Sequence, residues 1–421
     1  VKSEMEVPDG WERKKINGIA RVETGGTPST KNSSFWGGNI LWMSSGEVNN
    51  KKIYDTEKKI TEEGVQNSNA KILPTNTILM ALNGQGKTRG MVAINKVPLT
   101  CNQSLAGIIC NENQLYYLFL FYTLERRYKE IRSITGNSGR EGLNLGIIKE
   151  IKIALPSILE QQKIADILSK VDELIELTEK IIDETGELKK GLMQKLLTKG
   201  IGHTKFKKTE FGEIPVGWEI KKIGDFIINL DAGVSVNSKN RVANDGEFGI
   251  LKTSAAFNGI FSPRKHKTIN TNEISKACIN PKADNIIISR MNTSELVGES
   301  AYIAKDYPNL FLPDRLWQTN FKNKKEICVK WLSFLLTSNK IKKIISNAAT
   351  GTSGSMKNIS KKFIFNLKIS TPSLSEQKQI ASILSKVDEQ IQDNKKELKH
   401  LRELKKGLMQ DLLTGKVRVS V

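Results

Sequence analysis

Histidine is almost missing from this 421-residue chain: His203, His266 and His400 are the three it has, far apart and without ligand-like neighbours. That leaves no support for a metal centre or a nucleophile–histidine pair. Cysteine is sparse as well. Cys101, Cys110, Cys278 and Cys328 form no Cys-x-x-Cys pair, the pattern of free thiols in a reducing compartment. The longest apolar runs, such as Ile286–Ile288 and Tyr116–Tyr122, fall far short of the ~20 residues a membrane helix needs. The opening Val1-Lys2-Ser3-Glu4 lacks the apolar core of an export signal, so a cytoplasmic location is expected. No Asp/Asn-Pro-Pro-aromatic motif of adenine methyltransferases and no Gly-x-Gly-x-x-Gly cofactor loop occurs. Hydrophobic residues at 38% and charged ones at 26% exclude collagen and a fully disordered chain, and the length suggests roughly two to four domains.

Positive charge is in excess, with 65 Lys and Arg against 45 Asp and Glu, a net of +20. Such a surplus points to a polyanion, nucleic acid first and a membrane surface second.

The chain is also written twice. Pro156–Thr198 aligns without a gap to Pro372–Thr414, with more than half of the positions identical. Pro8-Asp-Gly-Trp-Glu12 matches Pro215-Val-Gly-Trp-Glu219, and Thr135-Gly-Asn-Ser-Gly139 matches Thr350-Gly-Thr-Ser-Gly354. The three pairs keep their order at spacings of 207 to 216 residues. Two tandem units follow, each a variable block closed by a near-identical segment: 1–155, then 156–200, 201–371 and 372–421.

The repeated segment reads as a long helix. Ser157-x-x-Glu160 and Ser373-x-x-Glu376 form capping boxes just after proline, and Gly200 and Gly415 stand where a C-terminal stop is expected. Ile164, Leu168, Val171 and Ile175 in one copy, and Ile380, Leu384, Val387, Ile391, Asn394 and Leu398 in the other, form a seam of alternating three- and four-residue steps that wants a partner helix. If equivalent ends meet equivalent blocks, the two helices run antiparallel. The expected fold is α+β: two mixed α/β domains joined and separated by two long coiled-coil-like helices, related by a pseudo-two-fold repeat. Within the blocks, Thr77–Ala81, Met91–Ile94 and Asn285–Ser289 read as strands, and Gln114–Ile134 and Val329–Ala348 as amphipathic helices.

Charge is unevenly placed. Block 1–155 carries a net of +6 and block 201–371 a net of +13, while 156–200 carries −2 and 372–421 carries +3. The blocks are therefore the polyanion binders and the helices connectors or docking platforms. A lipid-binding helix would show the opposite distribution. Two dissimilar heads imply two different half-sites on a duplex.

Two apparent catalytic motifs fail on context. Ala81–Thr88 matches a relaxed phosphate-loop pattern around Lys87, but Arg89–Ile94 reads as strand where a helix should follow. Asp9, Glu12 and Lys14 mimic a nuclease triad, yet the acids are too close in sequence and Val216 stands where Asp9 would recur. Trp11 and Trp218 read as core anchors. Gly191 and Gly407 interrupt good helices, either for close helix approach or as a relic of duplication.

The Pro-x-x-x-Glu-Gln-x-x-Ile segments at 156–164 and 372–380, the Pro-x-Gly-Trp-Glu starts, and Gly25-Gly-Thr-Pro-Ser29, Phe35-Trp-Gly-Gly38 and Trp42 together resemble the specificity subunits of Type I restriction-modification systems. Block two has Ala232-Gly-Val-Ser-Val236 in place of the Gly-Gly-Thr-Pro motif and resembles a different subtype of recognition domain. The resemblance implies a non-catalytic DNA-reading subunit that holds two modification (methyltransferase) subunits and is joined by restriction (translocase and nuclease) subunits. S-adenosylmethionine, ATP and Mg are then expected on those partners, with no cofactor and no metal on this chain. The paired helices would act as a ruler between half-sites.

Chemistry nominates DNA contacts among basic and amide residues in polar, glycine-flanked stretches. They are Lys31, Asn83, Gln85, Lys87, Arg89 and Arg140 in block one, and Lys239, Arg241, Arg264, Lys265, Arg290 and Asn292 in block two. A stand-alone DNA-binding scaffold or regulator without enzymatic partners is the rival reading, and a phosphate-loop NTPase with a helical spacer is a third.

Overall fold

The computed structural model describes residues 7–84, 86–135, 142–210, 212–353 and 356–420. The chain forms two compact units, Val1–Lys180 with Lys396–Val421, and Ile181–Lys395.

In the first unit, Ile78–Ala81 is buried on both faces and lies at the centre of a five-stranded sheet. Its order is Ala20–Thr24, Leu105–Cys110, Ile78–Ala81, Val92–Asn95, Lys52–Ile53. Ile78 and Met80 enter the main core with Phe119 and Tyr122, while Leu79 and Ala81 face a second cluster around Met43 and Leu99. A two-residue side-chain period thus feeds two cores from one strand. A smaller sheet holds Lys58–Ile60, Trp36–Met43 and Thr100–Cys101.

The second unit repeats this plan from a different sequence. Its main sheet runs Ile227–Ala232, Leu316–Phe321, Asn285–Ser289, Ser300–Ile303. Its second sheet runs Ser238–Lys239, His266–Ile269, Gly249–Leu251, Leu310–Phe311. Gly25 and Gly233 leave the first strand of the two main sheets at the same place. A Cβ on Gly25 would lie 2.1 Å from the Cys101 carbonyl oxygen, and one on Gly233 1.6 Å from that of Leu312. The one glycine the two blocks share there is required by close backbone approach.

The expected strands form, but each expected amphipathic helix is two. Tyr117–Arg126 is followed by Tyr128–Ser133, and Val329–Leu336 by Asn339–Ala348. In the first case Arg127 turns inward, donating to the Lys152 carbonyl at 2.6 Å and to Glu130. In the second, the Thr337 hydroxyl bonds back to Ser333 and Phe334, closing the helix ahead of Ser338.

The long helices are Ile158–Lys199 and Leu374–Leu412. Residues 158–180 and 396–412 lie in the first unit, 181–199 and 374–395 in the second. Within each unit the two segments run antiparallel, as Asp172–Lys405 and Glu179–Arg402 in the first record, and Asp388–Lys189 with Leu196 and Leu197 clustered on Ile380 and Leu384 in the second. Gly200 and Gly415 take positive φ after the helix ends.

The seam is less uniform than its periodicity suggests. Ile164 and Leu168 are buried with the head residues Phe119 and Tyr122 and with Met409 and Leu412. Ile380 and Leu384 are likewise buried with Trp331, Leu196 and Leu197. Val171 and Ile391 are buried, and Ile175, Val387, Asn394 and Leu398 are half-buried. The first three turns of each helix are therefore shared with a head as well as with the partner helix.

The repeated Glu-Gln pair explains that junction. Gln161 accepts from the Tyr116 backbone N–H at 2.8 Å and donates to the carbonyls of Gln114 and Pro156. Gln377 accepts from the Cys328 N–H at 2.8 Å and donates to Pro372. Each glutamine thereby satisfies an orphan donor at the start of a head helix, Tyr117–Arg126 or Val329–Leu336. The capping boxes form by half. Ser157 and Ser373 accept from the N–H of Glu160 and Glu376. The glutamates are diverted: Glu160 takes two bonds from Arg418, and Glu376 takes the Ile201 N–H, His203 and the Trp218 indole. Trp11 and Trp218 are buried, as core anchors should be.

Gly191 and Gly407 have open space where a Cβ would stand, so close approach within their units does not account for them. The four cysteines are free, and burial pushes the Cys101 and Cys110 thiols up to about 12, which makes them unreactive.

Candidate nucleic-acid interface

The phosphate-loop pattern occupies a hairpin. Ile78–Ala81 and Val92–Asn95 are antiparallel neighbours, so a strand stands where a nucleotide-binding helix would begin. Asn83 and Lys87 are exposed on this hairpin loop. Arg89 is not: it is 6% exposed. Its nomination as a DNA contact is corrected accordingly. Gln85 and Arg140 lie outside the described residues.

The second head has the same loop. Gly90 N–H donates to the Ala81 carbonyl at 2.8 Å, and Gly298 N–H to the Ser289 carbonyl at 2.8 Å, each closing eight residues. Met91 N–H bonds the Thr88 carbonyl and Glu299 N–H that of Leu296. Leu143 N–H reaches the Leu82 carbonyl at 2.9 Å, and Ile359 N–H that of Arg290 at 3.0 Å. The loop crown is held too, by Arg132 on the Gly86 carbonyl at 2.6 Å and by the Ser346 hydroxyl on that of Ser294 at 2.7 Å. Both closing glycines have φ near +80°, at 82° and 81°. This register sets Arg89 opposite Val297, which is also buried. An inward position is filled by an arginine in one head and a valine in the other.

Arg290 and Asn292 thus fall on the counterpart of the 82–89 loop, at the places of Leu82 and Gly84, although no residue of the two loops is identical there. Arg290 lies 3.9 Å from Asp314, and Asn292 bonds within its own turn, to Ser289 and the Thr293 N–H. Beside them, Met356–Asn358 of the repeated Thr-Gly-x-Ser-Gly hairpin pairs with Met291–Asn292. In the first head the corresponding residues 136–139 lie outside the described residues.

The other candidates gather on the second sheet of block two. Lys239 is exposed on the edge strand that pairs with His266–Ile269, and Arg264 and Lys265 sit on the turn leading into it. Neither Arg264 nor Lys265 has an ion-pair partner among the described residues. Arg241 is committed within the head: it grips both oxygens of Glu247 at 2.6 Å, and that bond together with the Asn244 N–H holds the Glu247 carboxyl down at about 2. Lys31 is exposed in the loop before Trp36. Sequence reasoning missed Glu295, the exposed counterpart of Lys87, and Lys58, whose ammonium lies 5.8 Å from the Trp36 ring. Glu295 offered no signal until the two loops were set in register.

Among the described residues no helix is long and apolar enough to cross a membrane, and no three His, Cys, Asp or Glu side chains are grouped to hold a metal ion.

The Type I restriction modification DNA specificity domain model matches the chain twice, over residues 8–185 and 215–403. The MjaVIII type I restriction enzyme specificity subunit of Methanocaldococcus jannaschii is 29% identical over 99% of this chain and 95% of its own. The MjaIX specificity subunit from the same organism is 34% identical over 60% of each chain. Among solved structures, the S subunit of a type I restriction-modification system from M. genitalium superposes with a TM-score of 0.61 over 98% of both chains at 17% identity, a likeness of fold. Two matched domains on two heads of corresponding sheet order leave one assignment: the chain belongs to the Type I restriction-modification DNA specificity family, as a non-catalytic specificity subunit with two recognition domains.

Proposed function

We propose that the two heads read the two unlike halves of an asymmetric, bipartite DNA site, with 1–155 and 201–371 as the reading domains. The observation that carries this reading is the pair of loops held by the same backbone bonds and bearing different side chains. Equal frames with unequal surfaces suit two elements of equal role and different sequence. Surplus charges of +6 and +13 on the heads supply sequence-independent attraction to phosphates.

The long helices, at 156–200 and 372–421, set the number of unread base pairs between the elements and dock two methyltransferase subunits. Their uninterrupted lengths of 42 and 39 residues support the first role, and the exposed Leu174 and Leu177 the second. Restriction subunits join that core. S-adenosylmethionine, ATP and Mg act on the partner subunits, and the complex works in the cytoplasm.

Co-purification with the methyltransferase encoded beside it, followed by mapping of N6-methyladenine on plasmid DNA, tests this reading. Two short, unlike elements around a fixed gap are expected. Absence of both partner and methylation refutes it and leaves the DNA-binding scaffold.

A further inference from the structure

We propose that Lys87 and Glu295, which occupy the same place on the two equally pinned loops, are base-reading residues: Lys87 for the acceptor edge of a guanine, Glu295 for the amino group of a cytosine. This rests on the bipartite reading above and names the residues and base chemistry within it.

The argument starts from what is constant. The loop backbone is fixed in both heads by four matching contacts: the closing glycine, the bond one residue later, the strand crossing its base and the side chain on its crown. The inward residue, Arg89 or Val297, is buried in both. Thr88 and Asn292 bond inside their own loops, but Lys87 and Glu295 make no side-chain bond within theirs, and a loop so held leaves these two free to differ. The loops do differ: Asn83 against Met291, Gly84 against Asn292, Gly86 against Ser294, Lys87 against Glu295, Thr88 against Leu296. A rigid frame with exchanged outward groups is how a recognition loop obtains precision together with variety.

The sign reversal at 87 and 295 then selects the chemistry. An exposed carboxylate on a head with a net charge of +13 is repelled by phosphates and gains nothing from the backbone of a duplex. It gains at a base edge that donates, and the cytosine N4 amino group in the major groove is the donor that Glu accepts from. A lysine has donors alone and matches O6 and N7 of guanine. Both side chains are exposed, and neither has a side-chain partner among the described residues, in contrast to Arg241 with its two bonds to Glu247.

The test uses the full chain co-assembled with its methyltransferase, selecting bound sequences from a random duplex pool and then measuring binding across a salt series. The parent is selected first; a parent that picks no two-part sequence overturns the bipartite reading and this inference with it. With a two-part parent sequence in hand, Lys87→Met is expected to relax one guanine position in one element by roughly 10- to 100-fold. Lys87→Arg should retain that guanine, and Glu295→Met, which removes the acceptor, should relax one cytosine position in the other element. The gap, the remaining positions and the salt slope should stay as in the parent. Lys87→Met weakening all sequences alike, with the salt slope reduced by about one, identifies a phosphate contact and overturns the assignment for Lys87. An unchanged selected sequence in Lys87→Met or in Glu295→Met overturns it for that residue, while the bipartite reading stands.

Discussion

Lys405 and Asp172 lie 233 positions apart in sequence, and their charged groups meet at 2.8 Å. The same lysine reaches Glu125 at 2.9 Å and lies over the Tyr122 ring. In the second unit Lys189 meets Asp388 and lies over Phe334. Lys189 and Lys405 are one repeat position, Asp172 and Asp388 another, so each copy supplies the cation for the anion of the other. The antiparallel register is encoded in the repeat itself.

Removing that cation leaves two half-buried carboxylates, Glu125 with Lys51 alone and Asp172 with the Tyr122 hydroxyl. Lys405→Met is expected to destabilise the first unit by about 3 kcal/mol at neutral pH. Urea denaturation of the parent and the variant measures the difference.

The same cluster sets a pH dependence. Burial alone would raise the Glu125 carboxyl, but Lys405 and Lys51 outweigh it and hold it below its ordinary 4.5. A depressed carboxyl contributes stability above its unfolded value and loses it as the pH falls through the folded one. Burial would lower the Lys405 ammonium, but Glu125 and Asp172 outweigh it and raise it above 10.5. Its contribution is complete below 10.5 and fades as the pH rises through the raised value. The stability gap between the parent and Lys405→Met should therefore stay level from about pH 5 to 10 and narrow below about 4.5. Denaturation curves at a series of pH values show whether it does.

Gln161 is fully buried and makes three hydrogen bonds. Gln161→Ala should cost roughly 2–4 kcal/mol by leaving the Tyr116 N–H and the Gln114 carbonyl unsatisfied. Hydrogen exchange should rise first in Tyr117–Arg126, because that helix loses its cap.

Arg89→Ala offers the converse of the loop experiments. Loss of a buried side chain should lower stability by about 1–3 kcal/mol and leave the methylated sequence as it was. A changed sequence would place Arg89 among the readers after all.

Gly191→Ala and Gly407→Ala should each raise stability by about 0.5–1 kcal/mol, since a methyl group meets no neighbour and helix propensity improves. Thermal unfolding of the single variants checks both.

Much of this was readable before any coordinates. The gapless repeat displayed the long helices, and the apolar runs at 78–81 and 285–289 displayed the central strands, because periodicity and burial act locally. What escaped depended on partners distant in sequence. Capping boxes promised that Glu160 and Glu376 would fold back on their own helices, but Arg418, His203 and Trp218 claim them. Arg89 read as a surface charge because nothing in Gly-Lys-Thr-Arg-Gly shows which side chain turns inward; its counterpart Val297 does, once the closing glycines are matched. The two matching loops share no residue pattern on their outward faces, and the bonds that equate them run through backbone carbonyls, which a sequence does not display.

That use of backbone has a consequence for how such a gene can change. Gln161 and Gln377 hold their heads through main-chain N–H and C=O groups. At these two glutamines the joint asks nothing of side chains, and beside them it asks for apolar cover such as Phe119 and Tyr122 give Ile164 and Leu168. Recombination between the two near-identical coding segments, or with those of a related gene, can then deliver a foreign head onto an unaltered joint, and a new DNA address arises in one genetic event instead of by stepwise substitution.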